Sequence, residues 1–155
     1  MKPRSQKLEG DGKASPKASR FFWLLAFAWG LLIHSLVGGP SPGGGEDPFW
    51  TFWINGGHAA LFAVQAFLLG LALGRRAWGL AALLAFAFGG VEEWIQMYLP
   101  DRSASLFDWA TDGFGALFGV ELFRTESLLR RRSLLRMLLW VVLASLSALG
   151  DTLWG

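Results

Sequence analysis

The segment Val91–Gly119 reads VEEWIQMYLPDRSASLFDWATDGFGALFG. It places Glu92, Glu93, Asp101, Asp108 and Asp112, with Arg102, at the join of two long apolar runs. Pro100 and the polar residues around it interrupt the apolar pattern, and the connection Leu99–Ser105 is short. Helices joined this closely lie antiparallel and side by side. The acids that close the first run are therefore set beside the acids that open the second.

The surroundings of those acids follow from composition. The chain has 155 residues, of which 53% are hydrophobic and 17% charged, and its mean hydropathy is +0.39. The charges avoid five runs, at roughly Phe21–Val37, Phe49–Leu73, Trp78–Leu99, Leu106–Phe123 and Leu134–Trp154. Crossing ~30 Å of hydrocarbon takes about 20 helical residues, so the first and fourth runs are short but sufficient. Strict alternation is absent and Ala and Leu abound, which argues against membrane strands. The expectation is an all-α, polytopic bundle of about five transmembrane helices. Cysteine is absent, which excludes disulfide and thiolate chemistry.

A sequence pI near 9.4 in a soluble protein would point to nucleic acid. Here the basic residues flank apolar runs, and a topological role is the better reading. Lys2, Arg4, Lys7, Lys13, Lys17 and Arg20 precede the first run, and Arg75 and Arg76 follow the second. Arg124, Arg130, Arg131, Arg132 and Arg136 follow the fourth. If five helices alternate, all of these lie on one side, which the positive-inside rule makes cytoplasmic, and Arg102 alone lies outside. Residues 1–20 read as a disordered basic cytoplasmic tail and residues 21–155 as the transmembrane domain. Val37-Gly-Gly-Pro40 makes a poor signal-peptide cleavage site. Gly38–Pro48 reads as a flexible outer loop. Trp50, Trp53, Trp94, Trp109 and Trp154 fall near the outer boundary, and Trp23 and Trp78 near the inner one, as interfacial indoles do. Trp29 and Trp140 lie deeper and read as packing residues.

The intramembrane polar residues gather at one depth. Glu92 and Glu93 lie one turn or less below Gln96 on the third run, and Asp108 and Asp112 are spaced i,i+4 on the fourth. Gly115 and Gly119 continue that stripe as a Gly-x-x-x-Gly contact for another helix. His58 and His34 sit at similar depth on the second and first runs; His34 reads as an interfacial filler. Glu121 lies near the opposite end, where water or Arg124 can reach it. A carboxylate facing lipid costs about 2.5–3.5 kcal/mol on insertion scales. Glu93 and Asp108 are therefore expected to face one another, Arg102 and His58 around an outward-opening pocket.

At these residues the chain resembles the VanZ-like membrane protein family. The family pattern is Glu-x-x-Gln, Pro-x-Arg, an Asp, then Asn or Asp, then Gly-x-x-x-Gly. It is matched here by Glu93, Gln96, Pro100, Arg102, Asp108, Asp112, Gly115 and Gly119. The family also carries Lys-x-x-His-x-x-x-Tyr in an earlier helix; only His58 matches, with Asn55 and Phe62 replacing the lysine and tyrosine. The resemblance covers residues 55–123. It implies a multi-pass protein of the bacterial inner or plasma membrane, related to the cell envelope, in a family named for glycopeptide (teicoplanin) resistance. It marks His58, Glu93, Gln96, Arg102, Asp108 and Asp112 as ligand-binding residues, without assigning a reaction.

Three functions fit these residues. In the first, an outer pocket binds a lipid-linked or glycopeptide-type ligand, with Arg102 gripping an anion. In the second, an intramembrane enzyme acts on a lipid-linked substrate, with Glu93, Asp108 and His58 as candidate acid–base groups. The third is a small transporter or proton relay, for which the chain would form a homo-oligomer. Each carboxylate also has a plain structural alternative, as part of an ion-pair or hydrogen-bond network pinning helices. The partners expected are membrane lipids, not nucleic acid. His58, Glu93, Asp108 and Asp112 would suit a hard or borderline cation, but no cofactor and no metal are expected, because His-x-x-x-His and Glu-x-x-His pairs are missing. Ser103 and Ser105 lack a nucleophile elbow.

The topology is open to a direct test, since no native cysteine interferes. Ser41→Cys should react with a membrane-impermeant maleimide added outside intact cells, and Ser127→Cys should react only after lysis. The reverse pattern would invert the assignment.

Overall fold

The computed structural model of the chain describes residues 15–37, 48–99, 104–125 and 131–154. Outside them fall most of the expected tail, the loop after the first run, Pro100, Arg102, Ser103 and Arg130. The side chains of Trp50, Asn55 and Trp154 also lie outside the description. Five helices account for the apolar runs: α1 (Pro16–Val37), α2 (Pro48–Leu73), α3 (Trp78–Gln96), α4 (Leu106–Arg124) and α5 (Arg131–Trp154). A 3-10 turn, Arg75–Ala77, joins α2 to α3, and Gly74 enters it at a φ of 87° that suits glycine. Among the described residues there is no strand, and the chain is an all-α bundle.

The helix ends have local causes. Helix α1 begins at Pro16, ahead of the apolar run, because Ser15 accepts the Ala18 N–H at 3.3 Å and proline suits a first helical position. Helix α3 stops at Gln96 rather than running to Leu99. Its exit tightens into i→i−3 bonds, Tyr98 N to Ile95 O at 3.0 Å and Leu99 N to Gln96 O at 3.1 Å. The residue before Pro100 is also disfavoured in the α region. Ser105 starts α4 by accepting the N–H groups of Phe107 and Asp108.

Contact registers fix the helix directions. Ser19 donates to Ala72 O and Trp29 Nε1 to Leu61 O, so α1 runs antiparallel to α2. On α2 and α4, Gly115 faces Ala59, Gly119 faces Ala63 and Phe123 faces Gly70, so these two run parallel. Trp109 packs on Phe86 and Gly90, while Glu93 meets Ser105, which makes α3 antiparallel to α4. Trp140 stacks on Phe114, and Ser147 donates to Phe107 O, so α5 is antiparallel to α4 as well. Successive helices thus alternate across one layer.

Four of the helices are long and apolar enough to cross a membrane, and the chain is a multi-pass membrane protein. Helix α4 is not among the four. It nevertheless runs alongside α2 through the same layer, packed by α2, α3 and α5. Its polar residues are screened from lipid by protein, so it can be less apolar than its neighbours. The lipid-facing surface is supplied by the others, with Leu24, Phe27, Leu83, Leu138 and Leu146 well exposed. Trp53 and Trp94 are exposed toward one end and Trp23 and Trp78 toward the other, as an interfacial belt requires. Trp109 instead stacks on Phe86, with ring centroids 4.5 Å apart.

The ends of the bundle differ in charge. Arg75, Arg76, Arg124, Arg131, Arg132 and Arg136 cluster at one, with Trp78 under the Arg124 guanidinium at 4.1 Å. Glu121 is buried there and pairs with Arg136 at 2.8 Å and Arg124 at 3.8 Å, one arginine more than the sequence indicates. Among the described residues, the other acids lie at the opposite end.

Gly115 and Gly119 lie closely against the backbone of α2. A Cβ at Gly115 would lie 2.7 Å from Ala59 Cα, and one at Gly119 would lie 2.9 Å from Ala63 Cα. Both obstacles are backbone and cannot rotate away. Gly115→Ala and Gly119→Ala should each lower stability by about 1–3 kcal/mol, read as thermal unfolding in detergent. Gly79→Ala, which meets nothing within 4 Å, should be close to neutral.

Candidate functional site

The site forms where the acidic ends of α3 and α4 meet the first half of α2 and the end of α5. Ser105 organises it. Its backbone N–H donates to Glu93 Oε2 at 2.7 Å, which fixes one carboxylate oxygen of α3 against the start of α4. Its hydroxyl caps α4 and also bonds Asp151 Oδ1 on α5. Three helix ends are therefore joined through one serine. Through these bonds Ser105 caps α4 and ties it to α3 and α5.

From α2, His58 turns toward Asp112 of α4, with Nδ1 and Oδ1 3.4 Å apart. That is ion-pair distance, but Nδ1 and Oδ1 do not meet hydrogen-bond geometry. Asp112 is 1% exposed and His58 8%. The carboxylate fits because α3 presents Gly89: a Cβ there would lie 2.9 Å from Asp112 Oδ2. One donor atom each from His58, Glu93 and Asp112 fall within 4.8 Å of one another. Within this cluster His58 is the one side chain able to carry positive charge.

The cluster is short of hydrogen-bond partners. His58 Nδ1, Glu93 Oε1, Gln96 Nε2, Asp108 Oδ1 and Asp112 Oδ1 are all buried without one. Native proteins rarely leave such atoms unmatched, and among the described residues five of the six side-chain atoms in this condition lie here, the other being Gln65 Oε1. A groove of about 460 Å³ lies beside the cluster and touches it at Glu93. Glu93 and Ser105 supply its polar part, and Trp94, Met97, Leu106 and Trp109 its apolar walls. Trp109 is held in place by its Nε1 bond to Phe86 O at 3.0 Å.

Of the residues read from sequence, the structure brings His58, Glu93 and Asp112 together and buries Gln96 beside Glu93 on the same helix. Asp108 is half-buried at the same end but does not share the three-donor set. Arg102 lies outside the described residues.

The reading of His34 as an interfacial filler is corrected. Its Nδ1 lies 3.0 and 3.2 Å from the two oxygens of Glu92, which is 2% exposed, so it ties α1 to α3. Its depth, equal to that of Glu92 when helices alternate, was the available signal. Asp151 and Ser105 were also missed as site residues. Asp151 lies near the chain end, and only the return of α5 to the acidic end makes it a neighbour.

No protein-family model matches the chain, and neither does any curated protein or solved structure. The chemistry of the site therefore rests on its own geometry.

The coupling between α2 and α4 can be measured. His58→Gln and Asp112→Asn should each lower the unfolding temperature in detergent. The double variant should be no worse than the poorer single, giving a coupling of about 0.5–3 kcal/mol. Additive losses would mean that the two side chains do not interact.

Proposed function

We propose that this chain is a VanZ-like envelope protein of the bacterial cell membrane. Its acidic end would bind the polar head of an amphiphile whose apolar part lies in the groove between α3 and α4. The observation that carries this reading is the two-sided chemistry of that groove. Glu93 and Ser105 supply its polar part, and Trp94, Met97, Leu106 and Trp109 form apolar walls. A carboxylate oxygen so placed accepts from a hydroxyl, amide or ammonium group, as found on lipid-linked sugars and glycopeptides. Arg102, on sequence grounds, would add an anion grip beside it. The arginine-rich end is assigned to the cytoplasm, which turns the groove toward the envelope.

A second reading is favoured by one observation, the convergence of His58, Glu93 and Asp112. An imidazole beside two carboxylates is suited to moving a proton, which supports an intramembrane enzyme acting on the same class of ligand. Turnover of a bound lipid-linked substrate would distinguish this from binding alone.

The groove is tested by photocrosslinking in nanodiscs with diazirine-tagged polyprenyl phosphate, polyprenyl alcohol and phosphatidylglycerol. Crosslinks should map to Trp94, Met97 or Leu106. They should weaken roughly tenfold, equivalent to about 1.4 kcal/mol, when Met97→Trp fills the groove. Labelling spread evenly over the lipid-facing helices and unaffected by Met97→Trp would remove the proposal.

A further inference from the structure

We propose that His58, Glu93 and Asp112 form a binding site for a divalent transition-metal cation, Zn2+ or Mn2+ in preference to Mg2+ or Ca2+. The inference shares Glu93 with the amphiphile reading but is tested without any amphiphile. Three different helices, α2, α3 and α4, each deliver one donor to a single point, with all donors within 4.8 Å. The residue types suit a cation, but the ligands are far apart in the chain and none forms a short metal-binding pair.

The acids alone would not make a site. The second observation is that His58 and Glu93, 8% and 7% exposed, carry Nδ1 and Oε1 atoms without hydrogen-bond partners inside the cluster. Asp112 Oδ1 shares that condition at 1% exposure. Buried ionised groups persist when paired or bound to metal. Glu93 and Asp112 bring two negative charges, and His58 can bind metal only through a neutral ring. One dication would neutralise the two carboxylates and take one donor atom from each of the three residues.

The donor types narrow the choice of ion. Carboxylates alone suit Mg2+, Ca2+ and Mn2+, whereas an imidazole favours zinc and its transition-metal neighbours. Bonds of about 2.0–2.2 Å bring donors to roughly 3–4 Å from one another, a contraction within reach of side-chain rotation. Two devices hold the ligands as a metal site requires. The Ser105 N–H fixes the second oxygen of Glu93, and Gly89 leaves space for Asp112.

The test uses the full chain purified in mild detergent, stripped with a chelator and titrated with Zn2+ or Mn2+, without added lipid. The expected result is about one ion per chain by elemental analysis and an unfolding temperature raised by roughly 5 °C or more at a hundredfold excess over Kd. Glu93→Gln and Asp112→Asn should abolish both effects, and Glu121→Gln, at the opposite end of the bundle, should retain them. If the acid variants do not fold, pulsed EPR of bound Mn2+ decides. A histidine nitrogen should couple to the ion and persist in His34→Gln, since the chain has 2 histidines. Wild-type protein that takes up no ion and shows no thermal shift at millimolar concentrations overturns the proposal. So does uptake unchanged in Asp112→Asn, or nitrogen coupling lost in His34→Gln. None of these outcomes depends on amphiphile crosslinking, so the two proposals fail separately.

Discussion

Helix α4 rests its backbone on the backbone of α2, Gly115 against Ala59 and Gly119 against Ala63. Between helices in lipid there is no hydrophobic drive to associate, so close packing of small residues has to supply the attraction. That contact also sets the chemistry. His58 directly precedes Ala59, and Asp112 lies almost one turn before Gly115. Seating the glycines on the alanines therefore carries the imidazole to the carboxylate. A pair placed by backbone contact is held more firmly than one placed by flexible side chains, which is what a binding or metal site needs.

The same arrangement accounts for the unusual character of α4. A helix carrying Asp108, Asp112 and Glu121 could not lie against lipid without a cost of several kcal/mol. Enclosure by α2, α3 and α5 removes that cost. Each acid then needs a partner of its own. Glu121 has Arg136 and Arg124, so the buried acid at the arginine-rich end is paired. Asp112 has His58 at a distance too long for a good hydrogen bond. The difference between a satisfied end and an unsatisfied one is the physical ground for placing ligand chemistry at the second.

Much of this was legible in the sequence, for reasons that can be named. Apolar runs separated by arginines give the helices, and the short Leu99–Ser105 connection gives the α3–α4 pairing. The Gly115–Gly119 spacing announces a close contact, and alternation places His58 at the depth of Glu93. What pattern could not supply was azimuth. Periodicity locates a residue along a helix, but which neighbour it faces depends on how the helices rotate to pack. His34 thus looked like a filler until α1 turned it toward Glu92. Ser105 looked like a loop residue until its N–H met Glu93. Asp151 belonged to no motif because its proximity depends on the whole path of α5.

Azimuth also separates the two adjacent acids of α3. Neighbouring residues on a helix point about 100° apart, from 3.6 residues per turn, so Glu92 and Glu93 serve different faces. Glu92 turns to α1, where both oxygens lie within 3.2 Å of one imidazole nitrogen, and neither oxygen is left without a partner. Glu93 turns to α4, where one oxygen is fixed by a backbone N–H and the other is left buried and unmatched. A carboxylate with both oxygens engaged has little left to offer a ligand, and its role is to tether α1 to the bundle. A carboxylate held by one oxygen is oriented and still able to bind. Two identical side chains, one residue apart, are thereby divided between scaffold and site, and the function proposed for this chain rests on Glu93.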